Sequence, residues 1–242
     1  MACFVIGDIH GCLAELSCLV ENLPLKRSDR IVFLGDYIDR GLESRGVVSY
    51  LITMAKTMDQ EFVFLKGNHE DMLLAYLGFG GRYGEMFLAN GGQSTLASYG
   101  IPPMAFSQVS AMARIPADHL EFFLSLRNYH VHGSFLCVHA GVHPLKSLGA
   151  QSEMDMLWIR NEFIASSHSL PYTVVFGHTP QREVLFDLPS KIGIDTGVVY
   201  GGKLSCIELD EKVQFQIERG ERHISQTSVK QLWTAPAKSS AP

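Results

Sequence analysis

Apolar residues along this chain gather in short runs, and several of these runs stop at a polar cluster. Residues 3–6 lead into Gly7-Asp8-Ile9-His10-Gly11, and residues 30–34 into Gly35-Asp36-Tyr37-Ile38-Asp39-Arg40-Gly41. Residues 61–65 lead into Lys66-Gly67-Asn68-His69-Glu70, residues 134–138 into His139-Ala140-Gly141, and residues 173–176 into Gly177-His178-Thr179. Runs of this length, rich in β-branched and aromatic side chains, predict buried strands. Helical spacing fills residues 12–22, 44–58 and 69–77 between the early runs. Strand–helix alternation predicts βαβ units and a largely parallel first sheet. After Tyr172 the pattern turns to strands with few helices, at residues 191–195, 203–209 and 212–219, which predicts a second, more antiparallel sheet packed on the first.

Two segments break this pattern. Residues 78–100 carry seven glycines and are followed by Pro102-Pro103 and a helical stretch over 117–127. Segment 78–128 reads either as a connector between the two halves or as a helical cap that selects substrate, since loops beside a site often carry specificity. Residues 221–242 lose apolar periodicity and end in Ala, Lys, Ser and Pro, which predicts a weakly ordered tail and leaves residues 1–220 as a single domain.

Composition narrows the function classes. The chain has 242 residues, 46% of them hydrophobic, enough for a buried core and against disorder. Net charge is −5, from 20 basic and 25 acidic residues, so no bulk positive field exists to hold nucleic acid. Five cysteines, an odd number with no C-x-x-C pair, read as reduced thiols of a cytoplasmic protein. No apolar run reaches the roughly 18 residues of a membrane helix, and no basic region precedes the first apolar stretch as in a secretory signal.

The ten histidines are the unusual feature. In parallel α/β folds, sites form at the carboxyl ends of strands, and each of the five runs ends in Asp, Asn or His. A lone Gly-Asp after a strand is ordinarily a turn, and Gly-Asn-His-Glu alone could simply start a helix with Asn68 as its cap; five such clusters in one chain are not explained that way. Oxygen and imidazole ligands without thiolate suit hard or borderline divalent ions. The candidates exceed what one four-coordinate ion needs and would serve two ions sharing a carboxylate, a pair that clamps the attacking and leaving oxygens of a phosphoryl transfer. His119, His130, His132, His143, His168 and His223 lack such neighbours and read as surface or core residues.

The first three clusters resemble the signature blocks of the phosphoprotein phosphatase family of metallophosphoesterases. His139-Ala140-Gly141 and Gly177-His178-Thr179 resemble its two later histidine blocks, and Leu157-Trp158-Ile159-Arg160 its second arginine block. The resemblance covers residues 2–209 and is strongest to small bacterial and phage serine/threonine protein phosphatases, which share the ending Ile194-Asp195-Thr196-Gly197-Val198-Val199-Tyr200-Gly201-Gly202. It implies an α/β fold of two mixed sheets flanked by helices (α/β/β/α). It also implies a metal-dependent phosphomonoesterase acting on phosphoserine or phosphothreonine, with phosphotyrosine and small aryl phosphates accepted.

Residue by residue, the resemblance implies that Asp8 and His10 bind one divalent ion, that Asn68, His139 and His178 bind a second, and that Asp36 bridges them. Mn²⁺ is the expected ion, with Fe, Zn²⁺, Mg²⁺ and Ni²⁺ as alternatives. A hydroxide held between the metals would attack phosphorus in line. Arg40, Arg160 and Asn68 would hold the phosphate, and arginine's planar fork suits this task. His69, oriented by Asp39, would protonate the leaving alkoxide; Tyr200 is a weaker carry-over. The alternative is a dinucleoside-tetraphosphate hydrolase, a relative that shares most metal blocks but typically has alanine in place of Asp39. A nucleotide phosphate leaves easily and needs less acid help, so Asp39 favours phosphomonoesters of alcohols.

Overall fold

In a computed structural model, which describes residues 1–101 and 114–234, two mixed sheets pack face to face with helices on both outer surfaces. The first sheet runs in the order β12 (Ile224–Ser228), β11 (Val213–Glu218), β10 (Lys203–Glu208), β1 (Cys3–Ile6), β2 (Arg30–Phe33) and β3 (Glu61–Phe64), with the short β9 (Asp195–Thr196) paired to β10. Its centre is β1 (Cys3–Ile6), parallel to β2 (Arg30–Phe33), which is parallel to β3 (Glu61–Phe64). The second sheet has the order β4-β5-β6-β8-β7, built from β4 (Tyr129–His132), β5 (Phe135–Val138), β6 (Thr173–Phe176), β7 (Leu185–Asp187) and β8 (Lys191–Gly193).

The inner strands are largely apolar because both faces are covered. With a side-chain period of two, Phe4 and Ile6 join Ile31 and Phe33 on the helix side, while Cys3 and Val5 join Val32 and Leu34 between the sheets. Cys137, Val175, Ile192 and Ile194 meet that inner face from the second sheet. Helix α1 (Leu13–Asn22) buries Leu16, Leu19 and Val20, and α2 (Ser44–Thr57) buries Val47, Val48, Leu51 and Met54, the one-sided stripe of an amphipathic helix. Helix α3 (Asn68–Leu77) is buried along almost its whole length and ends at Gly78, which takes the left-handed conformation of a helix terminus. Helices α6 (Glu153–Trp158) and α7 (Asn161–Ile164) cover the far side of the second sheet through Met156, Ile159 and Phe163.

Three expectations need correction. Strands β10 (Lys203–Glu208) and β11 (Val213–Glu218) do not build a second sheet. They extend the first, with β10 antiparallel to β1 in the register Phe4↔Glu208, and the second sheet already begins at β4. Hydrophobic period marks a strand but carries no information on its partner. Residues 191–195 are not one strand, but divide between β8 and β9, which lie in different sheets. The tail is also built in: β12 (Ile224–Ser228) pairs with β11, and α8 (Lys230–Thr234) follows. β12 escaped the hydropathy pattern because only Ile224 is partly buried, so backbone bonds hold the strand. Beyond it Val229 is buried and Trp233 packs on Phe186 of the second sheet, with ring centroids 5.8 Å apart. Residues 235–242 lie outside the described residues.

The glycine-rich segment is likewise structured where it is described. Helices α4 (Gln93–Ser98) and α5 (Ala117–Ser125) both contact α2, and α5 also reaches α3. Pro102-Pro103 lies outside the described residues.

Candidate metal centre and phosphate site

The carboxyl ends of β1, β2, β3, β5 and β6 deliver all the predicted cluster residues to one place. β1 supplies Asp8 and His10; β2 supplies Asp36, Asp39 and Arg40; and the turn after β3 supplies Asn68 and His69 at the start of α3. β5 supplies His139 and β6 supplies His178. Seven described non-glycine residues have positive φ, and five of them are His10, Asp36, Asp39, Arg40 and His178. Side chains rarely accept that conformation, at a cost of order 1–3 kcal/mol each, so its concentration here marks a site built against local preference.

Asp36 is the hub. Its Oδ2 lies 3.3 Å from His10 Nε2 and 3.9 Å from His69 Nε2, and its Oδ1 lies 3.4 Å from His139 Nε2. The donor atoms of His10, Asp36 and His69 fall within 4.8 Å of one another, as do those of Asp36, His139 and His178, so the two groups share this one carboxylate. Asn68 Oδ1 completes the second group, 3.0 Å from His139 Nε2 and 2.8 Å from His178 Nδ1. Asp8 stands outside both triplets; its carboxylate accepts the His178 amide at 3.0 and 3.2 Å.

These donors fit divalent cations. His10 and His139 each give Nδ1–H to a backbone carbonyl, of Ile38 at 2.8 Å and Leu34 at 2.9 Å, which turns Nε2 inward as the lone-pair nitrogen. Burial drives the His10 imidazole down to about 3 and pushes His139 and His178 down as well, which favours the neutral rings that a metal would need as ligands. Burial alone would raise the Asp36 carboxyl, but the surrounding rings of His139, His69, His10 and His178 outweigh it and hold it well below the usual carboxylate range. Backbone packing around the carboxylates is equally specific. A Cβ on Gly177 would stand 2.0 Å from Asp8 Oδ1, and one on Gly67 would stand 2.1 Å from Asp36 Oδ1.

His69, a member of the first triplet, is also held from its other side. Its amide donates to Asp36 Oδ1 at 3.1 Å, and its Nδ1 lies 2.6 Å from Asp39 Oδ2. Arg40 Nη1 donates to His10 Nε2, and its guanidinium carbon sits 5.5 Å over the exposed ring of Tyr200. Arg160 is exposed and donates to the His178 carbonyl at 3.3 Å. Both guanidiniums act on Asp195, whose buried carboxyl burial and the Asp36 charge push up to about 6 against the pull of the Gly197 amide and the arginines.

Three residues of this site received no role from sequence. Glu70 accepts the amides of Tyr37 at 2.8 Å, Asp36 and Gly67 at 2.9 Å, and Ile38 at 3.4 Å, and so fixes the loop that presents Asp36. Its place three residues past Gly67, where a helix's third residue reaches back to cap its start, was the available signal. Asp195 was visible only as part of a block. Thr95, whose hydroxyl meets Asp39, lies 56 residues away in a glycine-rich stretch and had no local signal.

Comparison with known proteins agrees with this architecture. The model of the calcineurin-like phosphoesterase family matches residues 1–203, and the chain belongs to that family. Among curated relatives, an asymmetrical bis(5'-nucleosyl)-tetraphosphatase PrpE of Anoxybacillus flavithermus is 26% identical over 233 residues, covering 86% of this chain and 90% of the relative. Serine/threonine-protein phosphatase 1 of Salmonella typhimurium is 29% identical over 212 residues, covering 85% and 91%. A crystal structure provisionally described as a diadenosine tetraphosphatase superposes with a TM-score of 0.67 at 26% identity, covering 90% of this chain and 93% of that one. A cold-active protein tyrosine phosphatase shares the fold, with a TM-score of 0.63 at 17% identity over 93% and 78% of the two chains. Among the described residues, no helix is long and apolar enough to cross a membrane.

Proposed function

We propose that this metallophosphoesterase is a phosphomonoesterase whose substrates carry poor leaving groups, serine and threonine phosphates first, with phosphotyrosine and small aryl phosphates also accepted. The observation that carries this reading is the enclosed His69–Asp39 pair, 2.6 Å apart, beside the Asp36 hub. An alkoxide needs a proton as it departs, and general-acid help is worth about 10²–10⁴-fold. With Nδ1 held by Asp39, His69 directs Nε2 and its proton toward the reacting centre.

Asp8, His10 and Asp36 would hold one divalent ion, and Asp36, Asn68, His139 and His178 the other, with Mn²⁺ the first choice. Such a pair supplies positive charge to the phosphoryl oxygens and a nucleophile at neutral pH. The chain's own side chains do the rest. Arg40 and Arg160 bind the phosphate oxygens, with Asn68 beside them, and the stacking of Arg40 on Tyr200 restrains its guanidinium. Asp36 stays ionised, Glu70 keeps it aimed, and His69 gives its proton to the leaving oxygen. A cytoplasmic location fits five cysteines that are all unpaired.

A second reading rests on the tetraphosphatase relatives, whose similarity to this chain equals that of the protein phosphatase in extent. It makes the chain a dinucleoside-polyphosphate hydrolase, for which an acid pair is dispensable. Stripping the protein with chelator, reloading it with Mn²⁺ and comparing a phosphoserine peptide with diadenosine tetraphosphate separates the two. Higher kcat/KM on the peptide supports the phosphomonoesterase reading; higher kcat/KM on the dinucleotide refutes it.

A further inference from the structure

The His69–Asp39 pair does not stand on its own strand-end loops alone. Asp39 is fully buried and uses both carboxylate oxygens: Oδ2 meets His69 Nδ1, and Oδ1 accepts the Thr95 hydroxyl at 2.6 Å. The Asp39 amide in turn donates to Thr95 Oγ1 at 2.9 Å and to Ser44 Oγ at 3.1 Å, and those two hydroxyls lie 3.0 Å apart. Thr95 and Ser44 are fully buried as well, so no solvent competes for these bonds. One hydroxyl therefore fixes both the side chain and the left-handed backbone of Asp39.

The same short segment also grips Arg40. Its amide donates to the Gly91 carbonyl at 3.2 Å, and its carbonyl accepts the Ser94 hydroxyl at 3.2 Å. A Cβ on Gly91 would stand 2.7 Å from the Arg40 nitrogen and 2.8 Å from its Cγ, so only glycine allows this approach. Residues 91–95 thus meet the two consecutive residues that carry the acid's partner and a phosphate ligand.

We infer that Thr95 is a positioning residue for proton transfer, and that through it the glycine-rich segment acts on catalysis from outside the signature blocks. This inference rests on the proposed acid role of His69. Without the Thr95 hydroxyl, Asp39 Oδ1 and the Asp39 amide each lose a buried partner, and the carboxylate is free to turn away from the imidazole.

The test uses Thr95→Val, Thr95→Ser and His69→Asn in the Mn²⁺-loaded protein, each assayed on a phosphoserine peptide and on p-nitrophenyl phosphate, whose phenolate leaves without acid help. Thr95→Val is expected to lower kcat on the peptide about tenfold or more, while the aryl ester stays within about twofold. Thr95→Ser, which keeps the hydroxyl, restores the peptide rate. In the metal-free protein, the downfield Nδ1–H proton resonance of His69 is expected in wild type and Thr95→Ser and lost to exchange in Thr95→Val. Equal losses on both substrates, or none on either, while His69→Asn shows the split, would overturn the Thr95 role. If His69→Asn shows no split, the acid reading falls and the proton-transfer role of Thr95 falls with it; if the split is present but the resonance persists unchanged in Thr95→Val, the acid reading stands and the positioning role alone is overturned.

Discussion

His69 Nδ1 lies 2.6 Å from Asp39 Oδ2, while Nε2 of the same ring lies 3.9 Å from Asp36 Oδ2. One imidazole thus spans a buried carboxylate that holds it and the carboxylate common to both candidate metal-ligand groups. A charge-assisted bond in an enclosed place fixes ring and tautomer together. In the proposed mechanism this arrangement would place a proton donor beside the reacting phosphoryl group, with no covalent step.

The shared carboxylate yields a first prediction. Chelator-stripped wild-type protein should gain several degrees in Tm on addition of Mn²⁺, because ligands that bind only the folded state stabilise it. Asp36→Asn should lose most of that gain and bind fewer than two ions by metal analysis, with hydrolysis at background. An unchanged stoichiometry of two would contradict the bridging role.

Glycine at the metal-facing turns gives a second. Gly177→Ala places a methyl group 2.0 Å from Asp8 Oδ1, so the carboxylate or the turn must shift. Metal affinity and kcat are expected to fall at least tenfold, in keeping with displaced metal ligands and their supports. Gly149→Ala, where nothing stands within 4 Å of the added carbon, is the matched control and should leave both unchanged.

The C-terminal strand and helix give a third. A chain ended at Gly220 lacks β12, Val229 and the Trp233–Phe186 contact, and it exposes the β11 edge. Its Tm should drop by about 5 °C or more, and light scattering should show self-association, as bare sheet edges promote. A monodisperse product of unchanged Tm would mean the segment contributes nothing to the fold.

His119 provides a pH-dependent prediction away from the site. Its Nδ1 lies 2.7 Å from the Tyr99 hydroxyl and its Nε2 lies 3.1 Å from Ser49 Oγ, and burial lowers its affinity for a proton. A folded-state value below the unfolded one, about 6.5, stabilises the protein above that pH, and the contribution is lost as pH falls through the folded value. Denaturant titrations at pH 7 and 5 should therefore show a smaller acid loss of stability in His119→Gln than in wild type. Equal losses would refute the linkage.

Much of this site was legible because its chemistry sits where sequence signals are sharpest, at the ends of short buried strands. Asp8, Asp36, Asn68, His139 and His178 each follow an apolar run, and the parallel arrangement of those runs brings them together. What escaped depended on contacts far apart in the chain. The place of β10 beside β1 follows from packing, which hydrophobic period does not encode. The polar strand β12 is held by backbone bonds. Thr95 reaches Asp39 across 56 residues of sequence, and its neighbours gave no hint of burial.

The most direct test of the acid pair is the dependence of kcat on leaving-group pKa, measured over a series of alkyl and aryl phosphates in wild type and His69→Asn. Protonation by His69 should make the wild-type dependence shallow and the variant's steep, with rates converging for the best leaving groups and separating by about 10²-fold or more for alkyl esters. Parallel lines, with the same loss for every ester, would contradict general-acid catalysis by His69 and remove the reason for assigning phosphomonoesters of alcohols as the substrate class.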